Sequence, residues 1–229
     1  MNNLIIFLKN EAGAVTVDWT VMTASVVGLG LATAGVVSSG MQDLSGDIGT
    51  QLGTGMISDR FGQSRIASMD FSNGDTGGWI GGTIMAPIES LGEMLVLGPG
   101  ESAGITLDVP EGSDLATLTF DLIGGDSLDN EVMTITTNGQ TVTLARGLHN
   151  GTMTFLTPDV EGVTVSTQVI SEGTNLGGAS PNSWRDSVTQ VTITVADPGT
   201  ELALGMTSGA NQHIGDEFFG VDNIEVTAN

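Results

Sequence analysis

The side chains that could do chemistry in this chain are carboxylates, and they fall in three groups. Asp70 stands in Met69-Asp70-Phe71-Ser72-Asn73-Gly74. Asp126-Ser127-Leu128-Asp129-Asn130-Glu131 follows Phe120-Asp121-Leu122. Gly215-Asp216-Glu217-Phe218-Phe219-Gly220-Val221-Asp222-Asn223-Ile224-Glu225-Val226 nearly closes the chain. Ca²⁺ takes about six to eight oxygens from carboxylates, carbonyls and water. A turn over residues 126–131 aims several oxygens inward, and Asp216 and Asp222 bracket a loop entering the last strand. Asp70, Asp126, Asp129, Asp216 and Asp222 are therefore the candidate metal ligands. The competing reading is that they are turn residues, since Asp and Asn favour turns by bonding their own backbone.

Other chemistry has little to stand on. The two histidines, His149 and His213, lie in Gly- and Asn-rich stretches with neither a serine elbow nor metal-ligand spacing beside them. There is no cysteine, hence no disulfide and no thiolate metal site. Carboxylates are too plentiful for any one pair to suggest glycoside hydrolysis. No catalytic residue is assigned, and the expectation is a protein that is not an enzyme. Trp79 and Trp184 could stack on a sugar face; the alternative is that they pack in a core.

Five Lys and Arg against 27 Asp and Glu give a net charge of −22. Beyond residue 65 the only basic side chains are Arg146 and Arg185. Nothing there offsets phosphate repulsion, so nucleic acid is excluded as a partner.

The amino-terminal part is organised differently. From Ala14 to Val37 the chain is apolar or small, with Asp18 as its only charge. A helix of that length spans about 36 Å, enough to cross a bilayer core. Ala24, Gly28 and Ala32 form one row of small residues, which lets helix backbones approach closely. Val37, Met41, Leu44, Ile48 and Leu52 continue at steps of three and four, the mark of an amphipathic helix. Cleavage after Gly13 would expose an α-amine on Ala14. Asp18 of one subunit could pair with the amine of its neighbour, since each buried charge is costly alone. Gly13-Ala14 with Asp18 fifth and Trp19 sixth in the processed chain resembles a type IVb pilin of the Flp (tight-adherence, Tad) class. That family prefers Glu and Tyr at the two positions. The resemblance covers roughly residues 7–45. It implies cleavage by a prepilin peptidase, storage in the inner membrane, and polymerisation by the pilus assembly machinery into an extracellular filament. Two alternatives stay open: a secretory signal cleaved after Ala32-Thr33-Ala34, and a plain membrane anchor.

From about Ile66 the hydrophobic period becomes two. Strands are expected at 66–71, 83–88, 93–97, 103–109, 115–122, 131–137, 140–145, 152–156, 163–170, 188–196, 201–206 and 219–227. Asn138-Gly139 is the strongest hairpin signal. Strands without intervening helices predict a β-sandwich, a jelly roll. The opening acidic-aromatic strand and the closing Asp-Asn strand resemble secreted bacterial galactose-binding-like and carbohydrate-binding jelly-roll domains, over residues 66–229. That resemblance implies a structural Ca²⁺ flanked by the two strands.

The expected organisation is a leader at 1–13, a polymerisation or transmembrane helix at 14–52, a linker at 53–65 and a β-sandwich head at 66–229. The expected function is a pilin subunit of a type IV-like homopolymer, exposed at the cell surface. The alternative is an anchored or secreted adhesin that binds carbohydrate or another surface.

Overall fold

A computed structural model describes residues 19–29, 33, 37, 64–178 and 184–229. The chain divides into two compact units, Met1–Ile57 and Ser58–Asn229. In the first, residues 19–29 are helical and exposed on every side. Thr23, Ser25 and Thr33 each donate their hydroxyl to the carbonyl four residues back, at 2.8–2.9 Å. The rest of the helix expected over 14–52 lies outside the described residues, apart from helical Thr33 and Val37. Among the described residues no helix is long and apolar enough to cross a membrane. Gly13, Ala14, Asp18 and Ala32 also lie outside them, whereas Trp19, Ala24 and Gly28 stand on the helix.

The second unit is a sandwich of two antiparallel sheets. One has the order β10 (Val163–Thr174), β11 (Asp186–Ala196), β6 (Leu115–Asp126), β13 (Glu217–Ala228), β4 (Met94–Leu97), β3 (Thr83–Met85), with β1 (Ser64–Met69) also on β13. The other runs β2 (Ile80–Gly81), β5 (Ser102–Asp108), β12 (Glu201–Ser208), β7 (Val132–Thr137), β8 (Gln140–Leu148), β9 (Thr152–Leu156). Strand alternation supplies the core between them: Leu118, Phe120, Ile135, Val191, Leu204 and Val221 all point inward. Asn138 and Gly139 both take positive φ, 48° and 77°, as a tight hairpin turn requires.

The seven-stranded sheet is buried on its outer face too. Ile88, Met94, Val96, Ile123, Val188 and Phe218 form a second apolar cluster there. Burial on both faces explains why Met94-Leu95-Val96-Leu97 and Phe218-Phe219 are continuous apolar runs rather than alternating ones. Gly125 stands opposite Phe218, and a Cβ there would fall 2.2 Å from the ring.

Thirteen strands are described where twelve were expected. Ile80–Gly81 is the addition, a two-residue edge too short to show a period. The run expected at 83–88 stops at Met85, because the chain then leaves the ladder to place Ile88 in the outer cluster. The four adjacent strands β10, β11, β6 and β13 run two to four residues past their expected ends. Those extensions carry Asp126, Asp186 and Glu217, polar residues that the two-residue period does not reveal.

Candidate functional site

β6 and β13 lie side by side at the centre of the larger sheet and carry most of the interior acids. Asp222 is directly opposite Asp121, and Glu217 directly opposite Asp126. The two pairs stand five positions apart along each strand, about 17 Å at the usual rise. The ladder thus holds two carboxylate groups, one at each end of that stretch.

The first group sits on a bulge. Beyond Asp222 the register shifts, so that Glu225 faces Thr119 with one extra residue in β13. Asn223 absorbs the extra length in the left-handed conformation, φ 50°, which asparagine tolerates. The bulge reverses the facing of the strand: Phe219 and Val221 reach the core before it, Ile224 and Val226 after it. At the same place the other edge of β13 changes partner. Residues 219–221 pair with β4, and Ile224 pairs with Met69 of β1. Asp70 follows Met69 and so arrives beside the bulge. First and last strands do pair.

Three carboxylates therefore meet here with little neutralising charge. Asp121 accepts a hydrogen bond from the Asn223 side-chain amide at 2.9 Å. Oδ1 of Asp121 and Oδ1 of Asp222 are buried and lack hydrogen-bond partners among the described residues. Burial pushes the Asp222 carboxyl up to about 6; the Asn223 N–H opposes this, and the charges of Asp121 and Asp70 add to it. Asp70 is held below its usual range by the Ser72 hydroxyl and N–H, at 2.7 and 3.1 Å. A depression of about 320 Å³ opens between Asp70, Asn223 and Glu225, and Glu225 makes a 3.0 Å ion pair with Arg65.

The second group lies where the loops after β6 and β12 close over the sandwich. Asp186 is fully buried. It accepts the Asp126 N–H at 2.9 Å and the Leu176 N–H at 2.7 Å. Burial raises its carboxyl nevertheless, outweighing those two bonds. Glu131 and Glu217 are buried as well and meet on one residue. The Asn211 side-chain amide donates to Glu131, and the Asn211 N–H donates to Glu217. The Asp216 carbonyl accepts the Ser127 N–H and hydroxyl, joining the two loops.

The five candidate ligands are thus divided. Asp70 and Asp222 come together, joined by Asp121. Asp126, Asp129 and Asp216 stand at the other group, and Asp129 is exposed there. Among the described residues no three acidic or imidazole side chains already converge on a metal-sized point. Sequence reasoning passed over Asp186, Asn211, Glu217 and Asn223. The pairs Asp216-Glu217 and Asp222-Asn223 were visible, but which member turns inward depends on the bulge.

The tryptophans are placed unequally. Trp79 is 5% exposed and packs edge-on to Phe71, so its indole faces core rather than solvent. Trp184 is half-buried and stands edge-on to His149, with 5.0 Å between ring centres. Nδ1 of His213 accepts the Gly215 N–H at 3.0 Å and so belongs to its own turn.

A third feature is a groove of about 590 Å³ over the outer face of the smaller sheet. Gly104, Ala203 and Gly205 form its floor, and Ser102, Thr106 and Thr136 supply hydroxyls. Ile80, 82% exposed, rises at its edge.

No family model matches this chain, and no curated protein does. Several solved structures are distantly similar to it. One is the mannan-recognising carbohydrate-binding module TmCBM27, at 13% identity and TM-score 0.41, covering 73% of this chain and 98% of that one. The K3 adhesin domain of Lys-gingipain from Porphyromonas gingivalis follows at 11% and 0.40, covering 72% and 98%. The CBM22-1 xylan-binding domain of Xyn10C from Paenibacillus barcinonensis matches at 11% and 0.40, covering 72% and 94%. Likeness at this level carries nothing about ligands. The class that fold and site define is an acidic, two-sheet antiparallel β-sandwich with carboxylates gathered on its central strand pair.

Proposed function

We propose that this chain is a surface-displayed, non-catalytic binding protein whose head holds a neutral glycan in the groove on the smaller sheet. The groove carries the reading. Its volume falls within the range of about 300–1,000 Å³ usual for ligand sites. Its floor has no side chain larger than a methyl group, so a flat ring can lie close to the backbone. The Thr106 hydroxyl can donate and accept, and that of Thr136, which gives its proton to the Gly205 carbonyl, can accept from a sugar hydroxyl. Exposed Ile80 offers an apolar edge to the CH-rich face of a ring. The net charge of −22 repels anionic polymers and favours an uncharged ligand. With the full chain on immobilised neutral polysaccharides, Ile80→Asp is expected to weaken retention about tenfold or more, with an unchanged melting temperature. Equal retention of the two proteins, or none by either, overturns the reading.

A structural Ca²⁺ fits the bulge. Two buried carboxylate oxygens without partners are what a hard cation would satisfy. Asp121 and Asp222 would hold it, and Asp70 would turn in from its Ser72 bonds. The ion would bind the first strand to the last.

One observation favours a pilin as the second reading. The described helix is apolar on all sides, and Thr23, Ser25 and Thr33 satisfy their hydroxyls on its own backbone. That suits a helix surrounded by apolar helices or lipid, where water is absent. Processing after Gly13, pairing of Asp18 with the Ala14 amine, and self-assembly would follow. Amino-terminal sequencing of the protein from cells separates the cases: Ala14 supports the pilin, Gly35 a secreted domain, and Met1 an uncleaved anchor.

A further inference from the structure

We infer that a second divalent cation, Ca²⁺, binds between the two sheets at Glu131, Asn211 and Glu217. The inference rests neither on the groove nor on the bulge, which lies at the other end of the ladder. Glu217 has the facing of Phe219 and Val221, which reach the core from the larger sheet. Glu131 immediately precedes β7 of the smaller sheet and has the facing of Met133 and Ile135, which reach the core from the opposite side. The two sheets therefore each turn a buried carboxylate inward, and both carboxylates bond to Asn211.

The decisive atom is Oε2 of Glu217. The residue is fully buried, and this oxygen has no hydrogen-bond partner among the described residues. The other oxygen of the same carboxylate is well served: it accepts the N–H groups of Asn211 and Gln212. A carboxyl oxygen sealed from water without a partner is a costly feature for a fold to hold. Asp126, directly opposite Glu217 in the ladder, supplies no positive charge, and its own carboxylate lies against Gly178. Arg146 stands opposite Val132, beside Glu131 in the ladder, but is exposed, and among the described residues neither Glu131 nor Glu217 makes an ion pair.

Asn211 joins the two carboxylates. Its backbone N–H holds Glu217, and its side-chain amide donates to Glu131. Rotating that amide by half a turn replaces the donor with an acceptor oxygen. Oε2 of Glu217, Oε1 of Glu131 and Oδ1 of Asn211 then form an all-oxygen set from both sheets. Water and backbone carbonyls complete the shell that Ca²⁺ requires. Asn211 is itself exposed, which leaves an entry route from solvent. Such an ion would clamp the sheets together at the end where the loops after β6 and β12 meet.

The test uses the full chain, stripped of metal with chelator and dialysed against Ca²⁺, with bound calcium measured per chain. Glu217→Gln and Glu131→Gln are each expected to bind one Ca²⁺ fewer than the parent protein, or to bind it at least about tenfold more weakly. Asp222→Asn should keep this ion, whatever happens at the bulge. Melting gives a second readout that survives a poorly folding variant. In chelator Glu217→Gln should melt at or above the parent, having lost an unpaired charge; in Ca²⁺ it should melt below. Unchanged stoichiometry and affinity in both glutamine variants would overturn the inference, and so would a melting difference that calcium does not alter. In either case a buried water is the partner of Oε2.

Discussion

At the Asp222 end of the β6–β13 ladder, carboxylates face one another; at the Glu217 end, they face the backbone. Asp121 and Asp222 have one amide side chain between them, from Asn223, and a third acid, Asp70, beside them. Around Glu217, by contrast, N–H groups of Asp126, Asp129, Leu176, Asn211 and Gln212 reach the carboxylates of Asp186, Glu131 and Glu217. The same residue type on the same strand pair thus plays two parts. Where backbone donors are in reach, a buried acid ties loops together. Where a bulge has broken the ladder, acids gather with fewer donors, and one oxygen each of Asp121 and Asp222 is left without a partner among the described residues.

The largest test of that contrast is Asp186→Ala. It leaves the buried N–H groups of Asp126 and Leu176 without acceptors, each a loss of roughly 1–3 kcal/mol. The release of a costly buried charge offsets part of this. A net loss of about 3 kcal/mol is expected in urea unfolding at pH 7. A neutral result would mean that the two N–H groups find water.

The next is the pH dependence set by Asp222. Its carboxyl is raised to about 6 from an ordinary value of 3.8. Between those values the folded chain keeps a proton that the unfolded chain has released. Stability therefore falls as pH rises through this window, by roughly 2–3 kcal/mol in chelator. Asp186, also raised, contributes in the same direction. Asp222→Asn should remove most of the slope, measured as melting temperature from pH 4 to 7. Added Ca²⁺ should flatten the slope in the parent protein and raise its melting temperature above pH 6, reversibly with chelator. No effect of calcium in the parent protein would remove the ion from the bulge.

The smallest is Asn223→Ala. The left-handed backbone at φ 50° and the lost bond to Asp121 together cost about 1–2 kcal/mol. Asn223→Gly keeps the backbone conformation and loses only the bond. The difference between the two variants isolates backbone strain from the side-chain contact.

The two-sheet architecture was legible in the sequence because it depends on a period. Thr134-Ile135-Thr136 and Thr192-Ile193-Thr194-Val195 alternate since one face of each meets the core. Asn138-Gly139 marked its hairpin because few residues accept two successive positive φ angles. The acidic site was legible only in part. Asp70 and Asp222 were linked only through the resemblance, which sets the opening and closing strands on either side of one ion. Asp126, Asp129 and Asp216 could not be told from them, since position along a paired strand is a matter of register.

The residues by themselves determined the class: an apolar segment near the amino terminus, then a cysteine-free, strongly acidic β domain. Local composition and a two-residue period suffice for that. Only the tertiary structure decided which acids are interior, that Trp79 belongs to the core, and that Glu131 and Glu217 share Asn211 as a partner. Such facts arise from one extra residue at Asn223 and from strands far apart in the chain lying side by side. Neither leaves a local trace, because burial depends on what arrives from elsewhere.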